Sequence, residues 1–279
     1  MQGWDSIPAH RPFLEDLAAG LIAEYGADPD GLAEAVILLP NRRGARDLAE
    51  AFLKMANGRS AGLLPRILAL GDLETGEPPF EAADIAVSLP PAVDPMRRRF
   101  ELARVAAAHA EARDEPLDAR GALDMADALA GFLDGLATRS EVRPDELDGL
   151  VPADQALHWA EAAGLLKHTL VEWPRRLEAL GVLDAAVRRA ETLARLTDQW
   201  EARPPHHPVV AAGSNEADGP VARLLGVIAR APQGCVVLPG LDEGLADSAW
   251  AEVGEAHAQG AIKALLKTNG LDRKEVRTW

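Results

Sequence analysis

The middle of this chain carries helical patterns only, and this stretch constrains the fold more than any other feature of the sequence. It lies between two segments in which strand and helix patterns alternate. Asp94-Pro95 is a suitable cap and first-turn pair for the first helix. Pro174 falls inside the third helix and predicts either a kink or a division into two helices. The predicted helices cover residues 96–110, 119–138, 154–181 and 184–200, and a shorter one starts at 142–147.

Before this helical stretch, residues 1–70 alternate between helix and strand. Apolar side chains along one helical face predict a helix over residues 12–24. The apolar run 35–39 is typical of a strand that is buried on both faces. Asn41 is a suitable cap for a helix over residues 44–55. A second strand is expected within residues 63–70.

The alternation returns near residue 205. Two strands joined by one helix within about 30 residues form a βαβ unit, so the sheet is expected to be parallel. A chain that stops at the start of a strand, as this one does, looks cut from something longer. The predicted elements are strands at 207–212 and 235–238, helices at 221–230 and 260–268, and the start of a strand at 275–279.

These patterns predict an α/β protein with a parallel sheet domain and an inserted all-helical subdomain. Residues 1–94 and 204–279 are expected to build the sheet domain together. Residues 95–203 are expected to form the helical insertion. The second part of the sheet domain looks truncated, because its last strand has only begun where the chain stops.

The composition favours a cytoplasmic protein that does not enter a membrane. Hydrophobic residues make up 48% of the chain, which is enough to build a core. No apolar run approaches the roughly 18 residues that a membrane span needs, and residues 1–10 do not resemble a secretory signal. The single cysteine, Cys235, excludes an internal disulfide. The net charge of −15 disfavours nucleic-acid binding by the chain as a whole, but not by a local basic patch.

Standard nucleotide-binding and metal-binding motifs are absent from the sequence. A Walker A loop needs a glycine directly before its lysine, and no lysine of this chain follows a glycine. No Gly-x-Gly-x-x-Gly fingerprint follows a predicted strand. His206 and His207 are interpreted as loop residues, and His158 and His168 as ordinary helical residues. We therefore expect neither a cofactor nor a metal ion in this segment.

The first strand-to-helix junction carries three arginines, Arg42, Arg43 and Arg46. It lies where α/β sheets bind ligands, at the carboxyl end of a strand and the start of a helix. The arginines can hold a phosphate group or a nucleic-acid backbone at such a place. Alternatively, they solvate a helix start and pair with Asp47 and Glu50. From the residues alone, this second interpretation is the simpler one.

The second junction, Gly213-Ser214-Asn215, has a glycine and small polar residues that allow close approach of the backbone. The acidic residues Glu216 and Asp218 follow it and argue against an anion. From the residues alone, this junction is an ordinary loop.

Three other features have simple interpretations. The basic run at residues 96–100 spreads around a helix, so it is interpreted as a solvated helix start rather than a patch. Cys235 lies in a predicted buried strand and is interpreted as a small core residue rather than a nucleophile. Trp159, Trp173 and Trp200 are expected to fill the core between helices.

A series of short motifs resembles one known family. The motifs are SIPAHRPFL at 6–14, ILLPNRRGAR at 37–46, LPRI at 64–67, AAGS at 211–214 and VVLPGLD at 236–242. Together they resemble the N-terminal region of AddB, a subunit of the AddAB helicase–nucleases of double-strand-break repair, in its alphaproteobacterial form. The resemblance covers essentially the whole chain. No single motif is specific, but their order and spacing together are fairly so.

The resemblance implies a RecA-like fold, of the P-loop NTPase type, and a role in homologous recombination. Members of the family process broken DNA ends and respond to a hotspot sequence (Chi) in the single strand. The two sheet-forming parts would match the first RecA-like domain, and the helices between them its inserted subdomain. The family's nuclease residues and iron–sulfur cysteines have no counterpart here, so this chain would supply the helicase-like part only.

The resemblance also implies site residues and partners. Pro8-Ala9-His10-Arg11 occupies the phosphate-loop position without any glycine or lysine, so this part would not hydrolyse ATP. The three arginines of the first junction fall where superfamily 1 helicases touch single-stranded DNA. The partners would be an AddA-type helicase subunit, in a heterodimer, and single-stranded DNA or a duplex end.

Three classes of function stay open at this point. The first is a non-catalytic, helicase-like recognition and scaffold module of a DNA-repair nuclease. The second is an enzyme with an unrecognised nucleotide site, and the third is a protein-interaction domain whose acidic surface faces a partner. ATP binding separates the second from the others, and single-strand binding at low salt separates the first from the third.

Overall fold

Two units, each with its own core, make up the structure, which is a computed structural model of the chain. The sheet unit consists of Met1–Ala86 and Glu191–Trp279, and the helical unit of Val87–Ala190. The residues that the structure describes are 2–27, 31–56, 64–70, 89–138, 156–217 and 219–279.

The sheet unit contains a six-stranded sheet in which every pair of neighbouring strands is parallel. The strand order is β3-β2-β4-β5-β1-β6, so strands from both parts of the chain are interleaved. The prediction of a parallel α/β sheet is therefore confirmed. The strands are β1 (Gly3–Ile7), β2 (Val36–Leu39), β3 (Arg66–Ala69), β4 (Val209–Ala212), β5 (Gly234–Pro239) and β6 (Arg277–Thr278).

Strand β1 is the one strand of the described sheet that the sequence patterns do not predict. Its sequence, GWDSI, contains Asp5 and Ser6, which have low strand propensity. Both are nevertheless buried, because β1 lies between β5 and β6. Pairing on both sides outweighs the weak local preference.

Most of the described helices lie close to their predicted positions. Helix α6 is continuous through Pro174, so the alternative of two separate helices is wrong. The flanking Trp173 and Leu177 are buried in the core of the helical unit, and this packing offsets the hydrogen bond that a proline removes. The predicted short helix at 142–147 lies outside the described residues. The helices are α1 (Phe13–Tyr25), α2 (Gly31–Glu34), α3 (Arg42–Ala56), α4 (Pro95–Glu111), α5 (Ala119–Thr138), α6 (Ala156–Leu180), α7 (Ala185–Ala202), α8 (Gly219–Arg230), α9 (Asp247–Ala251) and α10 (Gly260–Thr268).

Alternate residues of each strand face opposite sides of the sheet and fill two cores. On one side, Ile37 packs in a cluster with Leu17 of α1 and with apolar residues of α3. On the other side, Leu38 packs in a cluster with Leu224 of α8 and with residues of α10. Trp200, at the C-terminal end of α7, belongs to this second cluster and is buried as predicted.

The helical unit is built mainly from α4, α5 and α6, whose apolar faces form a third core. Asp94 caps α4 as predicted, since its Oδ1 accepts hydrogen bonds from the N–H groups of Met96 at 2.9 Å and Arg97 at 3.0 Å. The boundary between the units falls inside α7, between Ala190 and Glu191, whereas the sequence places it at residue 203. No helix in the described ranges is both long enough and apolar enough to cross a bilayer.

Candidate nucleic-acid interface

The carboxyl ends of the strands lie together at one edge of the sheet, because the strands are parallel. We call this the carboxyl edge. The loops that follow β1, β2, β4 and β5 meet there, and they carry the site residues that the sequence analysis selected. Ligands of such sheets bind where neighbouring strands have connections that run in opposite directions. The pair β1 and β5 meets this condition, since the chain leaves β1 toward β2 and leaves β5 toward β6.

The loop between β1 and α1 is a tight turn with few free N–H groups. Pro8 and Pro12 have none, and the N–H of Arg11 donates to the Pro8 carbonyl at 3.0 Å. The Arg11 side chain forms an ion pair with Asp16 and donates to the Trp279 carbonyl at 3.4 Å. A phosphate loop needs several successive N–H groups that point at the anion, and three residues of this loop have no N–H group free for an anion.

A cleft of about 450 Å³ lies beside this loop, at the carboxyl ends of β1 and β5. Ala9 and His10 line it together with the loop after β5. Gly240 has φ +78°, and a Cβ on it would lie 3.0 Å from the Cβ of Ala9, so the two loops are in close contact. Asp242 and Glu243 also line the cleft, and their negative charge disfavours a phosphate ligand.

Helix α3 begins directly after β2 and carries the three arginines of the first junction. The Oδ1 atom of Asn41 accepts a hydrogen bond from the N–H of Gly44 at 2.9 Å, which confirms the predicted cap. Arg42 and Arg43 open the helix, and Arg46 follows about one turn later; all three are exposed. The N-terminus of a helix carries a partial positive charge, which adds to that of the arginines.

The acidic residues of α3 do not pair with Arg43 and Arg46. Glu50 instead lies 3.9 Å from Lys54, in an exposed ion pair. Within the described part of the chain, neither Arg43 nor Arg46 forms an ion pair or a side-chain hydrogen bond. Both guanidinium groups are thus available to an anion.

The second junction is closely packed at its glycine and open at its last residue. Gly213 has φ +75°, and its N–H donates to the Val237 carbonyl at 3.0 Å. A Cβ on Gly213 would lie 3.3 Å from the ring of Phe13, so a side chain would have to displace this ring. Ser214 is buried and Asn215 is exposed.

Gly213 is the point at which three of the loops meet. The position of its missing Cβ lies close to the Phe13 ring and 3.7 Å from Cδ of Pro40. The starts of α1 and α3 therefore flank the second junction, and the two helices pack side by side. The phosphate-loop position lies farther along the edge, against Gly240. The carboxyl edge thus has a basic end at α3 and an acidic end at the cleft.

The basic run at residues 96–100 does not form a second site. Arg98 donates to Asp184 at 2.9 Å, and Arg99 donates to Asp127 at 2.8 Å and 2.7 Å. These two arginines are held by different carboxylates and do not form one patch, but Arg98, whose side chain is 13% exposed, is paired rather than solvated.

The described histidines do not suggest a metal centre. The rings of His109 and His168 lie 5.1 Å apart. Burial, together with the nearby charges of His168 and Arg113, lowers the pKa of His109. In the described ranges, no group of three histidine, cysteine or acidic residues is placed to hold a metal ion.

A polar cluster in the sheet, buried at Asp5 and Cys235 and exposed at Arg277, was not predicted from the sequence. It consists of Asp5 on β1, Cys235 on β5 and Arg277 on β6. The Sγ atom of Cys235 donates to Oδ2 of Asp5 at 3.1 Å. Burial, and then the carboxylate of Asp5, raises the pKa of this thiol far above its usual value. Cys235 is thus a poor nucleophile. The one sequence feature that pointed to this cluster was Asp5, an aspartate in a segment without a predicted strand.

No protein-family model matches the chain, and no curated protein matches it in sequence. The residues of the carboxyl edge and the motif resemblance are therefore the basis for a functional assignment.

Proposed function

We propose that this chain is a helicase-like module of the AddB type that binds single-stranded DNA and does not hydrolyse ATP. It would act within a helicase–nuclease that processes double-strand breaks for homologous recombination. The observation that carries the proposal is the pair Arg43 and Arg46, which is exposed and has no ion-pair partner among the described residues. A guanidinium group at a helix start, on the carboxyl edge of a parallel sheet, suits the oxygens of a phosphate.

The sheet topology supports a RecA-like assignment. In this order, β1 lies between β5 and β6, and the loop after β1 comes at a switch in strand connections, the kind of place where a P-loop NTPase holds its phosphates. This position is occupied by Pro8-Ala9-His10-Arg11. The order is compatible with a RecA-like domain, and the motif resemblance favours that choice among parallel α/β folds.

The same loop supports the absence of ATP hydrolysis. It has no lysine to reach the terminal phosphates and no glycine to bring the backbone close to them. Two of its residues, counting Pro12, lack the N–H group that a phosphate requires. The neighbouring Asp242 and Glu243 repel a triphosphate. The carboxyl edge is thus unsuited to ATP at one end and suited to a nucleic-acid backbone at the other.

In this proposal the three arginines position the DNA strand rather than read its sequence. Contacts to phosphate groups fix the register of a strand and carry no base information. The net charge of −15 weakens these contacts, so an AddA-type subunit, bound as a heterodimer, would supply much of the affinity. The second junction, through the exposed Asn215, would lie beside the strand.

The test uses labelled DNA and ATP with the chain alone and with an AddA-type subunit. Fluorescence anisotropy at low salt should show binding of a single-stranded oligonucleotide, and equilibrium dialysis should show no binding of ATP by the chain alone. ATP binding would favour the unrecognised enzyme. Absence of DNA binding in both samples would favour the protein-interaction domain.

A further inference from the structure

The helical unit contains an apolar groove that the proposed function does not use. Its volume is about 570 Å³, within the range of specific binding sites. It is open to solvent along one side, and side chains of α5, α6 and α7 form its walls. The main apolar side chains of these walls are Leu133, Leu136, Leu170, Trp173, Leu177 and Val187.

Hydrogen bonds hold one wall of the groove in a fixed position. The indole Nε1 of Trp173 donates to Oδ2 of Asp184 at 2.8 Å. Arg98 donates to the same oxygen at 2.9 Å, and the side chain of Asp184 is buried. The indole therefore has little freedom to lose when a ligand packs on it, which lowers the entropic cost of binding.

The polar groups of the groove favour a ligand that donates hydrogen bonds or carries positive charge. Pro174 has no N–H, so the carbonyl of Leu170 lacks its usual helical donor, and both residues line the groove. Glu178 is exposed at the rim and has no ion-pair partner in the described part of the helical unit. The groove thus contains one carbonyl that can accept a hydrogen bond and one carboxylate, and its surface is otherwise apolar.

We propose that this groove binds an amphipathic helix of a partner protein, with the apolar stripe of that helix in the groove and a basic residue beside Glu178. The apolar residues of α5 and α6 recur at spacings of three and four, as in Leu170, Trp173 and Leu177. Such rows form ridges and grooves that accept a further helix. The basic character of the partner follows from Glu178 and from the net charge of −15. A second copy of this chain has the same negative charge, which disfavours self-association.

The probe is a fluorescein-labelled peptide that forms an amphipathic helix, with leucines at i, i+3, i+4 and i+7 and arginines on both flanks of this stripe. A matched peptide has glutamates in place of the arginines. Fluorescence anisotropy with the full chain should give saturable binding of the arginine peptide, and at least about tenfold weaker binding of the glutamate peptide. Because DNA is absent, the result is independent of the proposed function.

Two exposed valines offer a matched comparison. Val187 lines the groove and is 40% exposed, whereas Val171 is 48% exposed and does not line it. Val187→Asp should weaken binding of the arginine peptide by about tenfold or more, and Val171→Asp should leave it unchanged. Glu178→Arg should reverse the preference between the two peptides. Circular dichroism would establish that each variant is folded.

Three results would overturn the proposal. Absence of saturable binding would show that the groove does not accept a helix. Equal effects of the two valine substitutions would place the peptide elsewhere. If the chain formed a concentration-dependent dimer and Val187→Asp dissociated it, the groove would bind a second copy of the chain instead.

Discussion

Arg277 donates two hydrogen bonds to the carboxylate of Asp5, from Nε to Oδ1 at 2.9 Å and from Nη2 to Oδ2 at 2.8 Å. The two residues are register partners in the parallel pair β1 and β6. Asp5 is only 6% exposed, and its carboxylate accepts hydrogen bonds from this arginine and from the thiol of Cys235. The pair attaches the short strand β6 to the strand that leads into the carboxyl edge.

Arg277→Ala should lower the free energy of unfolding by about 2 kcal/mol, because it leaves a buried carboxylate without its cation. The loss is below that of a fully buried pair, since the Arg277 side chain is 57% exposed. Arg223→Ala is the matched control, because Arg223 pairs with two exposed carboxylates and should cost less than about 1 kcal/mol. Urea unfolding measures both, and equal losses would contradict the role of Asp5.

The thiol of Cys235 should be unreactive in the folded protein. It is fully buried, and burial raises its pKa, so the thiolate that reacts with disulfide reagents is not formed near neutral pH. We expect no release of thionitrobenzoate from Ellman's reagent in buffer and one equivalent in denaturant, since the chain has one cysteine. Rapid labelling in buffer would show that Cys235 is accessible.

Tyr25→Phe should stabilise the protein by about 1 kcal/mol. The hydroxyl of Tyr25 is buried and has no hydrogen-bond partner among the described residues, and such a group costs about 1–3 kcal/mol. Burial, with smaller effects of Glu24 and Cys235, raises the pKa of Tyr25 to about 12, so the hydroxyl stays protonated. Thermal unfolding of the two proteins gives the comparison. A lower melting temperature for the phenylalanine variant would mean that the hydroxyl has a partner in solution.

The stability of the helical unit should depend on pH through His109. Its pKa is lowered in the folded state, by burial and then by His168 and Arg113, from a usual value of about 6.5. At pH values between its folded and unfolded pKa, His109 binds more protons in the unfolded chain than in the folded protein. The stabilisation that neutral His109 gives is therefore complete above about pH 6.5 and is lost as the pH falls. His109→Gln should make unfolding less sensitive to pH between 7 and 5. The same slope in the variant and in wild type would refute this.

The sequence predicted those parts of the fold that depend on local patterns. The apolar run that forms β2, the cap at Asn41 and the cap at Asp94 are read directly from neighbouring residues, and all three are confirmed. Strand β1 was not predicted, because its burial comes from β5 and β6, which are distant in sequence. The burial of Asp5 and its pairing with Arg277 were not predicted for the same reason.

The candidate site was also predicted only where it depends on neighbouring residues. The position of Arg43 and Arg46 at the start of a helix follows from the sequence, but their lack of ion-pair partners in the described residues does not. The contact between the loops of Ala9 and Gly240 requires the strand order, which places β1 beside β5. The groove of the helical unit requires that side chains of α5, α6 and α7 lie around one cavity, which helical periodicity alone does not fix.

The salt dependence of single-strand binding tests whether the arginines at the start of α3 contact DNA. Wild type, a triple variant with Arg42, Arg43 and Arg46 changed to alanine, and a charge-matched triple variant would be titrated with the same oligonucleotide in the reconstituted complex. The charge-matched variant has Arg120, Arg195 and Arg223 changed to alanine; each of these arginines has a carboxylate partner. At about −0.7 per phosphate contact, three contacts contribute a log–log slope of roughly −2. We expect the first variant to lose affinity and to have a slope shallower by about 2, with the control close to wild type. Equal affinity and slope for the first variant and wild type would show that these arginines only solvate a helix end.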